Sequence, residues 1–341
     1  TLIFMAQAKK FGTFGGVFTP SILTILGVIM YLRLGYIIGE AGLYAVIALI
    51  VIAHVISIST GLSLSSIATD KKIKTGGIYY MLSRSLGLPM GGSIGVTIFL
   101  GTALSISLYI VGFVENFLSI EAISEFLGMT GEVNDIRLIG TIVIILLVLI
   151  AYISTSIAIK TQFFILGAIA LSIVSIIIGV FTGGEYQAAE PALRVSQNSP
   201  DLIVLFAIFF PAVTGFTAGV AMSGDLKSPK ESIPKGTLYA IGLGLVVYIG
   251  LAVLFAFYVD RELLITDTNF LLKIAWFSPF VIAGIWGATL SSALGGILGG
   301  PRILQAMSRD KVTPVFFGQG VGKNNEPRRA LILTFVLAEL G

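Results

Sequence analysis

The sequence predicts an all-α polytopic membrane protein. Three observations carry that reading. Apolar residues make up 56% of the chain and charged residues only 11%, where a soluble domain carries about a quarter charged. The apolar residues come in blocks, at 43–58, 96–114, 138–153, 163–181, 202–221 and 237–259, each long enough or nearly so to cross ~30 Å of hydrocarbon as a helix. The blocks also lack the alternation with polar residues that a membrane β-barrel needs. A helical bundle is then the structure that satisfies the backbone inside lipid.

Nine candidate spans follow in order. Helix 1 covers 17–38. Helix 2 covers 42–66 and holds the chain's one histidine, His54. Helices 3, 4 and 5 cover 90–118, 136–156 and 160–182, each around one of the apolar blocks. Helices 6, 7 and 8 cover 202–222, 236–259 and 276–300. Helix 9, at 329–341, starts at Arg328-Arg329 and is too short to span. The chain begins at Thr1 rather than Met, so both ends read as fragment ends, and no signal-peptide pattern precedes helix 1. The domain reading is a cytoplasmic N-terminal segment at 1–16, a first five-helix repeat at 17–182, an extracellular loop at 183–201, and a second, incomplete repeat at 202–341.

Basic residues set the orientation. With the N-terminus cytoplasmic, the inner segments hold Lys9, Lys10, Lys71, Lys72, Lys74, Arg84, Lys160, Lys227, Lys230, Lys235, Arg302, Arg309, Lys311, Lys323, Arg328 and Arg329. The outer segments are acidic: Glu121, Glu125, Glu132, Asp135, Glu185, Glu190, Asp201, Asp260, Glu262 and Asp267. This asymmetry accounts for the net charge of +3 and the pI near 9 without a nucleic-acid partner. The expected location is the plasma membrane.

The absence of cysteine removes disulfides, thiolate metal sites and cysteine nucleophiles. His54 is expected to bond a neighbouring helix. No HExxH, P-loop or GxSxG motif is present, and no span carries paired carboxylates, so the chain does not read as an enzyme.

Helices 1 and 6 carry the informative irregularities. Helix 1 reads Pro20-Ser21-Ile22-Leu23-Thr24-Ile25-Leu26-Gly27-Val28, and helix 6 reads Phe210-Pro211-Ala212-Val213-Thr214-Gly215-Phe216-Thr217. Each has a mid-span glycine, which permits unwound dihedrals, and helix 6 adds a proline that removes a backbone donor. Interrupted spans five helices apart point to the substrate site of an inverted-repeat transporter. Unwound carbonyls there attract cations, while helix N-termini offer N–H groups to anions.

At these residues the chain resembles the cation-chloride cotransporters of the amino acid-polyamine-organocation superfamily. Gly27-Val28-Ile29 with Leu32-Arg33 is similar to their helix 1. Phe209 to Gly215, Ser223-Gly224-Asp225-Leu226-Lys227 and Ser232-Ile233-Pro234-Lys235-Gly236-Thr237 are similar to their helix 6 and the loop after it. Gly76-Gly77-Ile78-Tyr79-Tyr80 with Ser83-Arg84-Ser85-Leu86-Gly87, and Ala288-Thr289-Leu290-Ser291-Ser292-Ala293, match their helix 2–3 and helix 8 regions. The similarity runs from about Phe11 to the end of the chain, with the motifs in order.

The resemblance implies the sites. Potassium would be held by Thr24, Ile25, Tyr109, Pro211 and Thr214, as carbonyls and hydroxyls that supply oxygens without a full charge. Sodium would be held by the carbonyls of Leu23, Leu26 and Ala288 and the hydroxyls of Ser291 and Ser292. Chloride would take the N–H groups of Gly27, Val28 and Ile29 at one site and of Gly215, Phe216 and Thr217 at a second. That second site is completed in the family by a helix 10 tyrosine. The family usually has Asn at the position of Thr24 and, in sodium-coupled members, Trp at the position of Leu26.

Arg33 and Glu115 are charges placed well inside spans, where charges are costly and usually paired or functional. The resemblance makes them an outer gate that closes as an ion pair. The implied activity is an electroneutral symport of chloride with sodium and potassium by alternating access. A potassium-chloride symporter without sodium and an amino-acid permease of the same fold are the alternatives. No cofactor is implied; the transported ions are sodium, potassium and chloride. The partners are inorganic ions and the lipid bilayer, with a homodimer as the assembly that the resemblance allows.

Overall fold

A computed structural model describes residues 11–70, 77–153, 155–182, 186–221, 226–321 and 325–341. Gly76, Ser223-Gly224-Asp225, Lys9, Lys10, Lys71, Lys72, Lys74, Glu185 and Lys323 lie outside the described residues. Among the described residues, eight helices are long and apolar enough to cross a membrane. A shorter ninth, Arg328–Leu340, follows them. The protein is an all-α integral membrane protein with helices 1 and 6 interrupted, as the sequence predicts.

The helix boundaries depart from the apolar blocks in a consistent way. Helix 1 runs over Phe14–Leu32 and not to 38, because Arg33 leaves helical geometry at φ −125°. A helical stretch from Leu34 then turns at Gly42, whose φ is +70°. An L-residue with a Cβ would be strained at that φ, and the Cβ would also lie 2.4 Å from the Arg194 carbonyl oxygen. Helix 2 follows to Asp70. Helix 3 is Leu88–Leu118, helix 4 Val133–Ile153 and helix 5 Thr155–Thr182. Helices 7 and 8 are Pro229–Tyr258 and Ser278–Arg309, each longer than its apolar block. The extra turns of helix 7, at 229–236, are largely polar, while those of helix 8, at 301–309, bury Ile303, Leu304 and Met307.

Helix 1 is the centre of the bundle. The most apolar part of its span is 83% buried within the protein, against 11% for helix 4, which presents Ile142, Leu146 and Leu149 outward to lipid. Helix 2 packs along helix 7, and helix 3 along helix 8. Small residues set the closest approaches. A Cβ on Gly219 of helix 6 would lie 2.5 Å from the Val17 carbonyl oxygen, and one on Gly236 of helix 7 would lie 2.6 Å from Val17 Cβ. The ends of the bundle are called upper, where helix 1 finishes, and lower, where helix 2 finishes.

Candidate functional site

Both breaks lie at mid-depth and touch each other. In helix 1 the stretch Thr19–Ile25 stops at Leu26 (φ −85°, ψ 46°). Gly27 is extended (φ −99°, ψ −151°), and Val28–Leu32 resumes the helix. In helix 6, Leu202–Phe209 tightens into a 3-10 turn over Phe210–Val213, opens, and resumes at Thr217–Ala221. Neither Gly27 nor Gly215 has a positive φ. Glycine therefore serves these breaks by allowing close approach and not by supplying an unusual dihedral. A Cβ on Gly215 would sit 2.4 Å from Thr24 Cβ, and one on Gly27 would sit 2.9 Å from the Thr24 carbonyl oxygen.

A helix end inside lipid must satisfy its orphan backbone groups, and hydroxyls from neighbouring helices do much of this here. Ser57 of helix 2 donates to the Val213 carbonyl at 2.8 Å. Thr24 Oγ1 is 2.8 Å from the Gly215 carbonyl, and Ser21 donates to Phe216 O at 2.8 Å. Tyr248 of helix 7 donates to the Ile25 carbonyl at 2.6 Å. These partners were not singled out from sequence; the one signal was a hydroxyl within an apolar stretch, which small packing serines share.

Other backbone groups remain open. Among the described residues, the carbonyls of Leu23, Thr24 and Leu26 accept no hydrogen bond from the protein. The N–H groups of Gly27, Val28, Ile29, Gly215, Phe216 and Thr217 find no acceptor in it. The sequence-assigned anion donors are thus all unengaged, and they sit beside the sequence-assigned cation acceptors.

The remaining candidate residues lie on helices 3, 6 and 8. Pro211 and Thr214 are exposed, and the Thr214 hydroxyl donates to the Pro211 carbonyl at 2.8 Å. Tyr109 is half-buried on helix 3. Helix 8 packs on helix 1, with Ala288 fully buried. Ser291 bonds back to Ala288 O at 3.2 Å. The Ser292 hydroxyl is buried with no hydrogen-bond partner, a costly state for a polar group that nothing satisfies. His54 departs from expectation: its Nδ1 lies 2.8 Å from Ile50 O on its own helix, one turn back, and not on a neighbouring one. Its ring meets Tyr248 edge-on at 6.3 Å.

Polar contacts join helices at both ends of the bundle. At the upper end Arg33 Nη2 is 3.4 Å from Glu115 Oε2, with both side chains more than a third exposed. Next to it, buried Asn116 donates to Asn269 Oδ1 at 2.8 Å and accepts from Trp286 Nε1 at 3.1 Å, tying helix 3 to helix 8. At the lower end, Asp310 receives Tyr79 Oη at 2.8 Å and Arg84 Nη2 at 2.8 Å. Both donors lie on the connector helix Gly77–Leu86. Burial, reinforced by the Asp310 carboxylate, pushes the Tyr79 hydroxyl up to about 12, so it stays a donor at neutral pH.

Comparison with known proteins places this architecture. The amino acid permease family profile matches residues 16–341. Solute carrier family 12 member 2 of Mus musculus is 36% identical over 390 residues, covering 98% of this chain and 32% of that protein. Solute carrier family 12 member 1 of Mus musculus is 33% identical over 386 residues, covering 98% of this chain and 35% of that protein. The chain spans about a third of the length of these curated relatives. A solved structure of a Na+-coupled sialic acid symporter matches with a TM-score of 0.57 at 12% identity, covering 97% of this chain and 72% of that one, and so shares the fold. With its family profile, its relatives and its ordered helix 1, 6 and 8 motifs, the chain belongs to the amino acid permease family and, within it, to the cation-chloride cotransporters.

Proposed function

We propose that this chain forms the translocation core of an electroneutral symporter coupling chloride with sodium and potassium by alternating access. One observation carries the reading: at the junction of the two breaks, unengaged carbonyls and unengaged N–H groups lie side by side. Carbonyls and hydroxyls suit a dehydrated cation, and helix-start N–H groups suit an anion. Potassium takes Thr24, Ile25, Tyr109, Pro211 and Thr214. Sodium takes Leu23, Leu26, Ala288, Ser291 and Ser292, and the unpartnered Ser292 hydroxyl supports that assignment. Chloride takes the six N–H groups. With no basic side chain assigned to the anion sites, the bound cations supply their positive field, which couples anion to cation.

The upper end is extracellular and the N-terminus cytoplasmic in this reading, from the basic residues of the lower end. Residues 17–182 form the first repeat and 202–341 belong to the second. Arg33 and Glu115 form the outer gate. Their 3.4 Å separation is longer than a tight charge-assisted bond, and a partly exposed pair is weak enough to open.

The test is rubidium uptake into proteoliposomes of the full-length protein, with external sodium and chloride replaced one at a time. Uptake that needs both ions and carries no current is the expected result. Dependence on chloride alone would make this a potassium-chloride symporter, with the helix 8 serines structural. Indifference to both ions, with saturable amino-acid uptake, would sink the ion-symport reading.

A further inference from the structure

Tyr248 lies on helix 7, outside every residue assigned above to an ion, yet it holds one of them. It is fully buried, and its hydroxyl donates at 2.6 Å to the carbonyl of Ile25. That carbonyl ends the lower half of helix 1 and points to no helical donor. The tyrosine ring is itself immobilised. Phe209 of helix 6 meets it edge-on at 5.3 Å and 86°, and His54 of helix 2 meets it at 6.3 Å and 61°. One helical turn back, Gly244 opens a notch for the Ile25 side chain: a Cβ there would lie 2.6 Å from Ile25 Cγ2. Helix 7 therefore grips Ile25 twice, the side chain through Gly244 and the carbonyl through Tyr248. The two positions are four residues apart and share one helix face.

We infer that Tyr248 is a positioning residue that sets cation discrimination by fixing the direction of the Ile25 carbonyl. The inference rests on the reading of Ile25 as a potassium ligand. A carbonyl oxygen has two lone-pair directions. Tyr248 occupies one, which leaves the other aimed in a single fixed direction. Selectivity among alkali cations depends on how many carbonyl dipoles face the ion and how freely they move. A carbonyl released from its hydroxyl donor turns and fits cations of different radius more equally. Because Phe209 belongs to helix 6, the same ring also registers the helix 1 break against the other broken helix.

Tyr248→Phe keeps the ring and removes the donor. In rubidium uptake by the full-length protein, the expected result is a KM for rubidium raised about tenfold, the size of one lost buried interaction. The ratio of inhibition constants for potassium and cesium should shift toward one. Half-saturating sodium should stay within about twofold, since Ile25 is not a sodium ligand. Gly244→Ala displaces Ile25 from its other end and should shift the same ratio in the same direction, which keeps the test available if the tyrosine variant folds poorly. A purely structural tyrosine would lower the maximal rate and leave the rubidium KM and the cation ratio at wild-type values in both variants; that result overturns the inference. Wild-type uptake that ignores chloride and sodium would instead overturn the symport reading and remove the basis for this one.

Discussion

The two broken helices solve one problem in different ways. Helix 1 leaves helical geometry over two residues, Leu26 and Gly27, both buried. One hydroxyl from outside, that of Tyr248, fastens its lower half. Helix 6 loosens over a longer stretch. It starts at Phe210 with a 3-10 turn that contains Pro211, and exposes Pro211 and Thr214. The hydroxyls of Ser21 and Ser57, from helices 1 and 2, fasten it, and Thr24 Oγ1 shares its one proton between the Gly215 carbonyl and the Pro20 carbonyl of its own helix. The difference follows from position. Helix 1 is the most enclosed span and is held by packing on all sides, so a short break suffices. Helix 6 is 39% buried over its span, and its freed carbonyls need explicit donors. The general lesson is that an unwound segment in a membrane is held by the helices it touches, and the number of donors tracks how little packing surrounds it.

The largest expected effect breaks the contact between the two segments. Gly215→Ala places a Cβ 2.4 Å from Thr24 Cβ, and overpacking at such a contact costs about 1–3 kcal/mol or more. Initial uptake rates, normalised to protein in the membrane, should fall more than about tenfold. Gly27→Ala meets one carbonyl oxygen at 2.9 Å and should fall less. Equal losses would show that the two glycines have the same duty after all.

Next comes the fastening of helix 6. Ser57→Ala leaves the Val213 carbonyl without its donor, an unsatisfied buried group worth about 1–3 kcal/mol. The detergent-solubilised variant should unfold at a lower temperature, and Ser57→Thr, which keeps a hydroxyl, should restore most of the loss. An unchanged melting temperature in the alanine variant would mean that packing alone holds the helix 6 break.

Ser292→Ala sharpens the cation side of helix 1. Its hydroxyl has no protein partner, so its removal should leave the sodium-free melting temperature within about 0.5 kcal/mol equivalent of wild type. Half-saturating sodium should rise several-fold. A loss of stability without any change in sodium dependence would make the serine a packing residue. Smallest in stability is Glu115→Gln. A pair exposed by more than a third on each side contributes about 0.2–1 kcal/mol, so thermal stability should barely change while uptake falls. Normal flux in that variant would remove the gate.

The two glycines show how a correct expectation can rest on a different cause. Both breaks were legible as mid-span glycines five helices apart, yet neither Gly27 nor Gly215 has a positive φ. What Gly215 supplies is room for Thr24 of the other broken helix, which no single span reveals, whereas a Cβ on Gly27 would crowd the Thr24 carbonyl of its own helix. His54 shows the converse: a buried histidine was legible, but its bond to Ile50 within its own helix was not. Any mid-helix polar side chain can bond back by one turn or across to a neighbour, and only packing decides.

The sequence by itself determined the membrane class, the succession of spans, the uneven distribution of basic and acidic residues between the connecting segments, the sites of the breaks, and the placement of Arg33 and Glu115 as two charges within reach of one end. These are properties of local composition and period, because lipid admits only helices and closed barrels and taxes every charge. Only the tertiary structure decided which hydroxyl satisfies which orphan carbonyl: Ser57 for Val213, Ser21 for Phe216, Tyr248 for Ile25. Those partners lie 156 to 223 residues apart in the chain. Hydrogen bonding over such separations is set by how helices cross, and the crossing is fixed by small residues whose role appears only when two helices meet.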